Sequence, residues 1–120
     1  MDRRTFLTAV AAVTPLPAFA RASADIIYID AANCSTCRAF DKNGLVALQL
    51  IAAAHGYGMK RVNVRSFQDL AEEAAWPQSL KAIRQQMKST NGAPRFLVVY
   101  NGKIYREILG SDDVFGYFDR

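Results

Sequence analysis

Cys34-Ser35-Thr36-Cys37 places two thiols two residues apart, and they are the chain's only cysteines. At that spacing the first turn of a helix holds both sulfurs close enough for a reversible disulfide. The pair follows Asp25-Ile26-Ile27-Tyr28-Ile29-Asp30, an apolar run that reads as a strand covered on both faces. A CxxC between a strand and a helix is first of all a redox-site pattern. Other uses of the cysteines compete with it. A structural staple is one, although a bridge across two residues closes a tiny loop and restrains little unfolded-chain entropy. Zinc wants four ligands, and beyond the cysteines only His55 is at hand. Copper(I) needs only two thiolates and suits soft ligands, while an iron–sulfur cluster bridging two copies would need an extra thiol. The expected inventory is therefore a redox-active disulfide, with no metal and no other cofactor.

Several further residues could take part in chemistry, and each has a plainer use. Asp30 is either a solvated carboxylate at the strand's end or a proton relay for Cys37. His55 reads as a helix-end surface or capping residue rather than a base. Trp76 reads as a packing residue beside Pro77, and Tyr100, Tyr105, Phe115 and Phe118 as core and sheet-face residues. Lys81, Arg84 and Lys88 read as a solvated helix face.

The elements that must position the cysteines follow from periodicity. Phe40, Gly44, Leu48, Ile51 and His55 recur every three to four residues, which predicts one amphipathic helix from Thr36 to about Ala54, with Gly44 a kink or close-packing point. Met59 to Arg65 alternates with period two and predicts a second, edge strand. Helical sequence runs from Phe67 to Ala75, breaks at Trp76-Pro77, and resumes to about Lys88 with Leu80, Ile83, Arg84 and Met87 on one side. Ser89-Thr90-Asn91-Gly92 is a turn cluster, and Ala93-Pro94 leads into the strand Arg95 to Tyr100. Asn101-Gly102 suits a type I′ hairpin turn, with Lys103 to Leu109 as the return strand. Gly110 ends it, and Asp112-Asp113 open a short final helix through Phe118. The order is β-α-β-α-β-β-α, with the first two strands parallel and the last two a hairpin.

The first 24 residues stand apart. Arg3-Arg4 precede a run rich in Ala, Val, Leu and Phe, and Ala18-Phe19-Ala20 and Ala22-Ser23-Ala24 close it with small residues. This is the layout of an export signal, with cleavage expected after Ala24 and Ala20 as the other cut. The stretch is short for a spanning helix and is interrupted by Pro15 and Pro17, so no stable membrane insertion is expected after cleavage. Arg3-Arg4-Thr5-Phe6-Leu7 resembles the twin-arginine export signal of bacteria, which implies passage in the folded state to an oxidising compartment, the periplasm. The chain has 15 basic and 11 acidic residues; removing three arginines and one aspartate with the leader leaves a net charge of +2. Residues 25–120 hold no Lys/Arg-rich block, so a nucleic-acid surface is unsupported. One domain is expected there, a monomer.

With CxxC at the end of the first strand, Ala93-Pro94 before the third and the Asn101-Gly102 hairpin closing on Gly110, residues 25–120 resemble the thioredoxin fold in its small, glutaredoxin-sized form. The resemblance implies an α/β domain with a four-stranded mixed sheet in the order 2-1-3-4 and helices on both faces. Taken with the leader, the chain is most similar to the small thioredoxin-like proteins of the bacterial periplasm. The stretch from Ala93 to Phe118 resembles the small thioredoxins found with bacterial sulfur-oxidation systems. The implied partners are protein thiols and disulfides of the periplasm, including a sulfur-oxidation or membrane electron-donor protein.

By that resemblance Cys34 is the nucleophile and Cys37 the resolving thiol, and a cis Pro94 facing them would hold the Ala93 backbone open to an extended substrate segment. The helix N-terminus favours the ionised form of Cys34. Hydroxyls of Ser35 and Thr36 could add hydrogen bonds, and Lys42 or Arg95 positive charge. This chain departs from thioredoxins in having Asn33 before the first cysteine, Tyr28 where a buried Asp is usual, Ala93 before the proline, and Ser35-Thr36 between the cysteines. The direction of electron flow therefore does not carry over from the resemblance.

Overall fold

The computed structural model describes residues 23–119. The leader up to Ala22, with its twin-arginine motif, lies outside them. The central strand β1 (Ala24–Ala31) is buried from Ile26 onward, as its unbroken apolar run requires. It pairs in parallel with β2 (Gly58–Val64) and antiparallel with β3 (Arg95–Tyr100), which pairs antiparallel with β4 (Lys103–Leu109). The sheet order is β2-β1-β3-β4, the mixed 2-1-3-4 arrangement expected. Asn101 (φ 52°) and Gly102 (φ 81°) both take the left-handed backbone that the hairpin turn needs. Ser23, assigned above to the leader, is tied in at the same turn: its N–H donates to Asn101 Oδ1 at 2.9 Å and its carbonyl accepts from the Asn101 N–H at 2.8 Å.

Alternation along β1 sends its side chains to two cores. Ile26 and Tyr28 pack with Phe40, Leu48, Phe96 and Val114 on one face. Ile27, Ile29 and Ala31 pack on the other with Leu70, Trp76, Leu80 and Ile83. The first face is covered by α1 (Ser35–Asn43), α2 (Leu45–Ala54) and α4 (Ser111–Phe118). The second is covered by the segment between β2 and β3, which ends in α3 (Lys81–Gln86). Among the described residues no helix is long and apolar enough to cross a membrane.

Two helix expectations need correction. The single helix from Thr36 to Ala54 is two helices that meet at Gly44. A Cβ there would fall 2.9 Å from the Phe40 ring, so the glycine lets that ring pass beneath the backbone into the first core. The expected helices of 67–75 and 77–88 are mostly short 3₁₀ turns, Phe67–Ala71, Glu73–Ala75 and Gln78–Leu80, before the brief α3. Glu72 (φ −89°, ψ 111°) and Trp76 (φ −88°, ψ 148°) are extended and interrupt helix growth, the latter because it precedes Pro77. Trp76 is buried as a packing residue, and its Nε1–H donates to the Leu70 carbonyl at 3.0 Å.

Candidate active site

The central strand delivers the cysteines to the edge of the second core. The turn after β1 closes through the Cys34 N–H to the Ala31 carbonyl at 3.1 Å, and the Ala32 N–H to the Val64 carbonyl at 2.8 Å. Cys34 then caps α1 with extended backbone (φ −101°, ψ 107°). Its sulfur accepts the Cys37 N–H at 3.1 Å, so a helix-terminal donor that would lack a partner points at Sγ. Cys34 and Cys37 form a disulfide with their Cα atoms 5.2 Å apart.

Thr36 Oγ1 lies 3.4 Å from Cys34 Sγ and can donate to it. The Ala93 carbonyl oxygen is 3.6 Å from the same sulfur, within reach of the S–H once the disulfide is reduced. The Ala93–Pro94 peptide bond is cis, and Pro94 is buried beneath the loop. The structure thus brings Cys34, Cys37, Thr36 and Ala93 together at one point. Ser35 is exposed, and the two short contacts to Cys34 sulfur come from Thr36 and the Cys37 amide instead. Cys34 is only 2% exposed and Cys37 fully enclosed, so the first sulfur is less open than thiol exchange suggests from sequence. Thr36 and Ala93, which touch that sulfur, also wall a neighbouring cavity of about 490 Å³ together with Pro94 and Leu109.

The cations suggested from sequence do other work. Lys42 sits in the last turn of α1, about 12 Å along the axis from Cys34. The Arg95 guanidinium is spent on Glu107 at 3.2 Å and on the Asn91 carbonyl, which ties down the loop ahead of Pro94. His55 ends α2, where its ring meets Phe118 edge-on at 5.1 Å. Tyr100, Tyr105 and Phe118 gather with Tyr57 around that same end of the molecule, and Phe115 packs beside Phe40.

Asp30 is not a solvated strand end: it is fully buried. Its carboxylate accepts from Arg38, from Arg61 Nε at 3.1 Å and Nη2 at 2.8 Å, and from Asn63 Nδ2 at 2.8 Å. Arg61 also reaches Asp41 at 2.9 Å, and Arg38 reaches it at 3.1 Å. The hydrogen bonds of Asp30 go to these cations and amide, and none goes to a cysteine. The hydrogen bond to Asp30 is the main reason that the Arg61 guanidinium is held even more firmly protonated than usual. Sequence reading missed this network, although a signal existed. Parallel pairing sets Tyr28 beside Arg61 and Asp30 beside Asn63, so one face of this strand pair collects a carboxylate, a guanidinium and an amide.

Tyr28 joins this network to the cysteine turn. Its single hydroxyl proton is shared between Asp41 Oδ1 at 2.8 Å and the Cys37 carbonyl at 3.3 Å. Burial, and then the Asp41 hydrogen bond, push the hydroxyl well above its ordinary value of 10.0. A group raised on folding contributes stability that is fully present below its unfolded value and lost as pH rises through the folded one. Urea midpoints should therefore be flat up to about pH 9 and fall above pH 10, with a shallower fall in Tyr28→Phe. Equal slopes for parent and variant would show that the hydroxyl is not buried as described.

No family model matches this sequence, and no similar curated protein was found. Among the described residues no group of three or more His, Cys, Asp or Glu side chains converges as a metal site would require. What the geometry offers is a disulfide at a helix cap, its outer sulfur accepting the Cys37 N–H and touching the Thr36 hydroxyl. Such a pair can open and close by exchange with other thiols.

Proposed function

We propose that the protein is a thiol–disulfide oxidoreductase of the thioredoxin superfamily, exported to the periplasm and exchanging disulfides with partner proteins there. The observation that carries this reading is the Cys34–Cys37 disulfide capping α1 directly after the central strand, with Ala93 against its outer sulfur. In the dithiol form, the Cys34 thiolate attacks one sulfur of a partner disulfide. A Cys34–partner bond forms, the partner's S–S bond breaks, and one partner thiolate leaves and takes up a proton. Cys37, deprotonated, then attacks Cys34 Sγ. The intramolecular disulfide forms, the second partner thiol leaves, and two electrons have passed to the partner. The reverse sequence oxidises a partner dithiol, and the relative potentials of the two pairs set the direction.

Pro94, buried beside the disulfide, and Ala93 form the platform on which an extended partner segment would lie. Thr36 and the Cys37 N–H hold negative charge on Cys34 sulfur, and Ser35 lies exposed between them and solvent. Asp30 supports the site from beneath through Arg38, the residue after Cys37, rather than by relaying a proton.

The test is turnover. Purified protein with dithiothreitol as electron source should reduce insulin disulfides catalytically, and the Cys34–Cys37 couple should titrate as one two-electron pair in glutathione or dithiothreitol buffers. A protein that reduces no insulin and instead carries stoichiometric copper or iron on its reduced cysteines would be a metal-binding or non-catalytic member of the same fold.

A further inference from the structure

A cavity of about 680 Å³ lies at the pole of the sheet where β1 begins, the cysteines following its other end. Tyr57, in its wall, precedes Gly58, which pairs with Asp25, and Tyr100 beside it pairs with Ala24. The length of β1, roughly 23 Å, therefore separates this cavity from the disulfide. Tyr57, Tyr105, Tyr117 and Phe118 supply its aromatic walls, and Arg106 and His55 its basic groups. A bulge in β4 makes this lining. Val98 pairs with Arg106 but Val99 with Ile104, so Tyr105 is an extra residue with no partner across the strand pair. Consecutive strand residues ordinarily face opposite sides of a sheet, whereas here Tyr105 and Arg106 both line one cavity. The Tyr105 ring meets Tyr100 edge-on at 5.4 Å, and the Arg106 guanidinium sits 5.6 Å from the centre of the Tyr117 ring.

The polar groups of this cavity have capacity to spare. Arg106 also walls a smaller cavity with Glu107, Asp112 and Asp113, but Glu107 is held by Arg95 at 3.2 Å, and among the described residues Arg106 forms no ion pair. The Tyr57 hydroxyl hydrogen-bonds to the hydroxyls of Tyr100 and, at 3.3 Å, Tyr117. When that chain runs from Tyr100 through Tyr57 to Tyr117, the last proton belongs to Tyr117 and is offered to a guest. Burial raises the Tyr57 and Tyr117 hydroxyls above their ordinary value of 10.0, so both are donors at neutral pH.

We infer that this cavity binds a small aromatic carboxylate, its ring among Tyr57, Tyr105 and Phe118 and its oxygens on the Arg106 guanidinium and the Tyr117 hydroxyl. Aromatic walls with a few convergent polar groups, in a space of several hundred Å³, are the usual build of a small-molecule site. A guanidinium presents paired N–H donors that match a carboxylate, and His55 adds a ring N–H at the rim. Aromatic rings alone would also attract an ammonium ligand, but here it would meet the like charge of Arg106. The site stands apart from the cysteines and does not depend on the oxidoreductase reading.

The experiment titrates the purified protein with 2-naphthoate, whose ring fluoresces, and with 2-naphthalenemethanol and 2-naphthylmethylammonium as its uncharged and cationic counterparts. Naphthoate should bind saturably and about ten-fold more tightly than the alcohol, with the ammonium weakest. Arg106→Gln should weaken naphthoate about ten-fold and leave the alcohol unchanged, while Tyr105→Ser should weaken both. Both side chains are exposed, so neither substitution opens the core. Arg65→Gln, an exposed cation just beyond the far end of β2, should change nothing. Amide shifts on adding naphthoate should centre on Tyr57, Arg106 and Tyr117. No saturation below about 10 mM, equal affinity for acid and alcohol, shifts centred elsewhere, or an equal loss in Arg65→Gln would each overturn the inference.

Discussion

Cys34→Ser should leave a folded protein whose insulin reduction is no faster than dithiothreitol alone, whereas Cys37→Ser should accumulate a covalent mixed disulfide. The folding half of this expectation comes from the cap. Cys34 occupies the N-cap of α1 and its side chain accepts the Cys37 N–H. Serine is a better residue for that task, so the substitution removes the sulfur and keeps the helix start. The chemical half comes from burial. Cys37 is fully enclosed, while Cys34 keeps 2% exposure and touches Thr36 and the Ala93 carbonyl, outer groups of the turn. A partner sulfur can reach only Cys34, and only Cys37 stands close enough to release it. Intact mass under non-reducing conditions after mixing with a partner disulfide separates the two variants: an adduct for Cys37→Ser, none for Cys34→Ser. An adduct on Cys34→Ser, or residual turnover in it, would reverse the assigned roles.

How far the sequence disclosed this site depends on how local each feature is. β1 was legible because six consecutive residues carry the pattern of a doubly covered strand. The β3–β4 hairpin was legible because Asn101-Gly102 meets a steric demand that few other pairs meet. The placement of CxxC at a helix start followed from those two. The segment from Phe67 to Gln86 was not legible, because its apolar positions suit both a long helix and a string of 3₁₀ turns. What decides between them is the packing of Leu70, Trp76, Leu80 and Ile83 against the sheet, a tertiary matter. Gly44 was read as a kink or close-packing point, and it is both, since two helices meet there. Which group packs there, the Phe40 ring 2.9 Å from where a Cβ would stand, needs the folded contact. The cavity beside Pro94 is less local still, since its walls come from α1, the loop before β3, the end of β4 and α4.

The two faces of β1 divide the labour. The face with Ile27, Ile29 and Ala31 shares its core with both cysteines. The opposite face carries Tyr28 and, at its end, Asp30, whose partners lie on α1 and β2. A strand that is the scaffold for one core therefore also anchors the helix that bears the disulfide. Tyr28 reaches the Cys37 carbonyl and Asp30 reaches Arg38, so consecutive residues of α1 are both held to the sheet.

Asp30→Ala should be among the most destabilising polar substitutions available in this fold, at about 3 kcal/mol. Breaking a buried pair by deleting one partner costs about 3–5 kcal/mol when the other partner stays dry. Here the carboxylate is fully buried, but the Arg38 and Arg61 side chains are 42% and 39% exposed. Once freed they can turn to water, which brings the cost to the low end of that range. What cannot be recovered is the acceptor itself, which serves Arg38, Arg61 and Asn63 at once, and the space its side chain fills. Asp30→Asn keeps the volume and one acceptor oxygen and should lose about 1–2 kcal/mol. Against a total of roughly 5–15 kcal/mol for a domain of this kind, the alanine variant would sit near its limit. Urea unfolding with the disulfide intact measures both variants, and an alanine variant within about 0.5 kcal/mol of the parent would refute a structural role for the network. Because Arg38 follows Cys37, the same loss should appear locally, as faster amide exchange at Cys37 and Arg38 than in Asp41→Asn, whose carboxylate is already partly in water. Uniform acceleration across the sheet would instead mean that Asp30 stabilises the whole fold without holding the cysteine turn in particular.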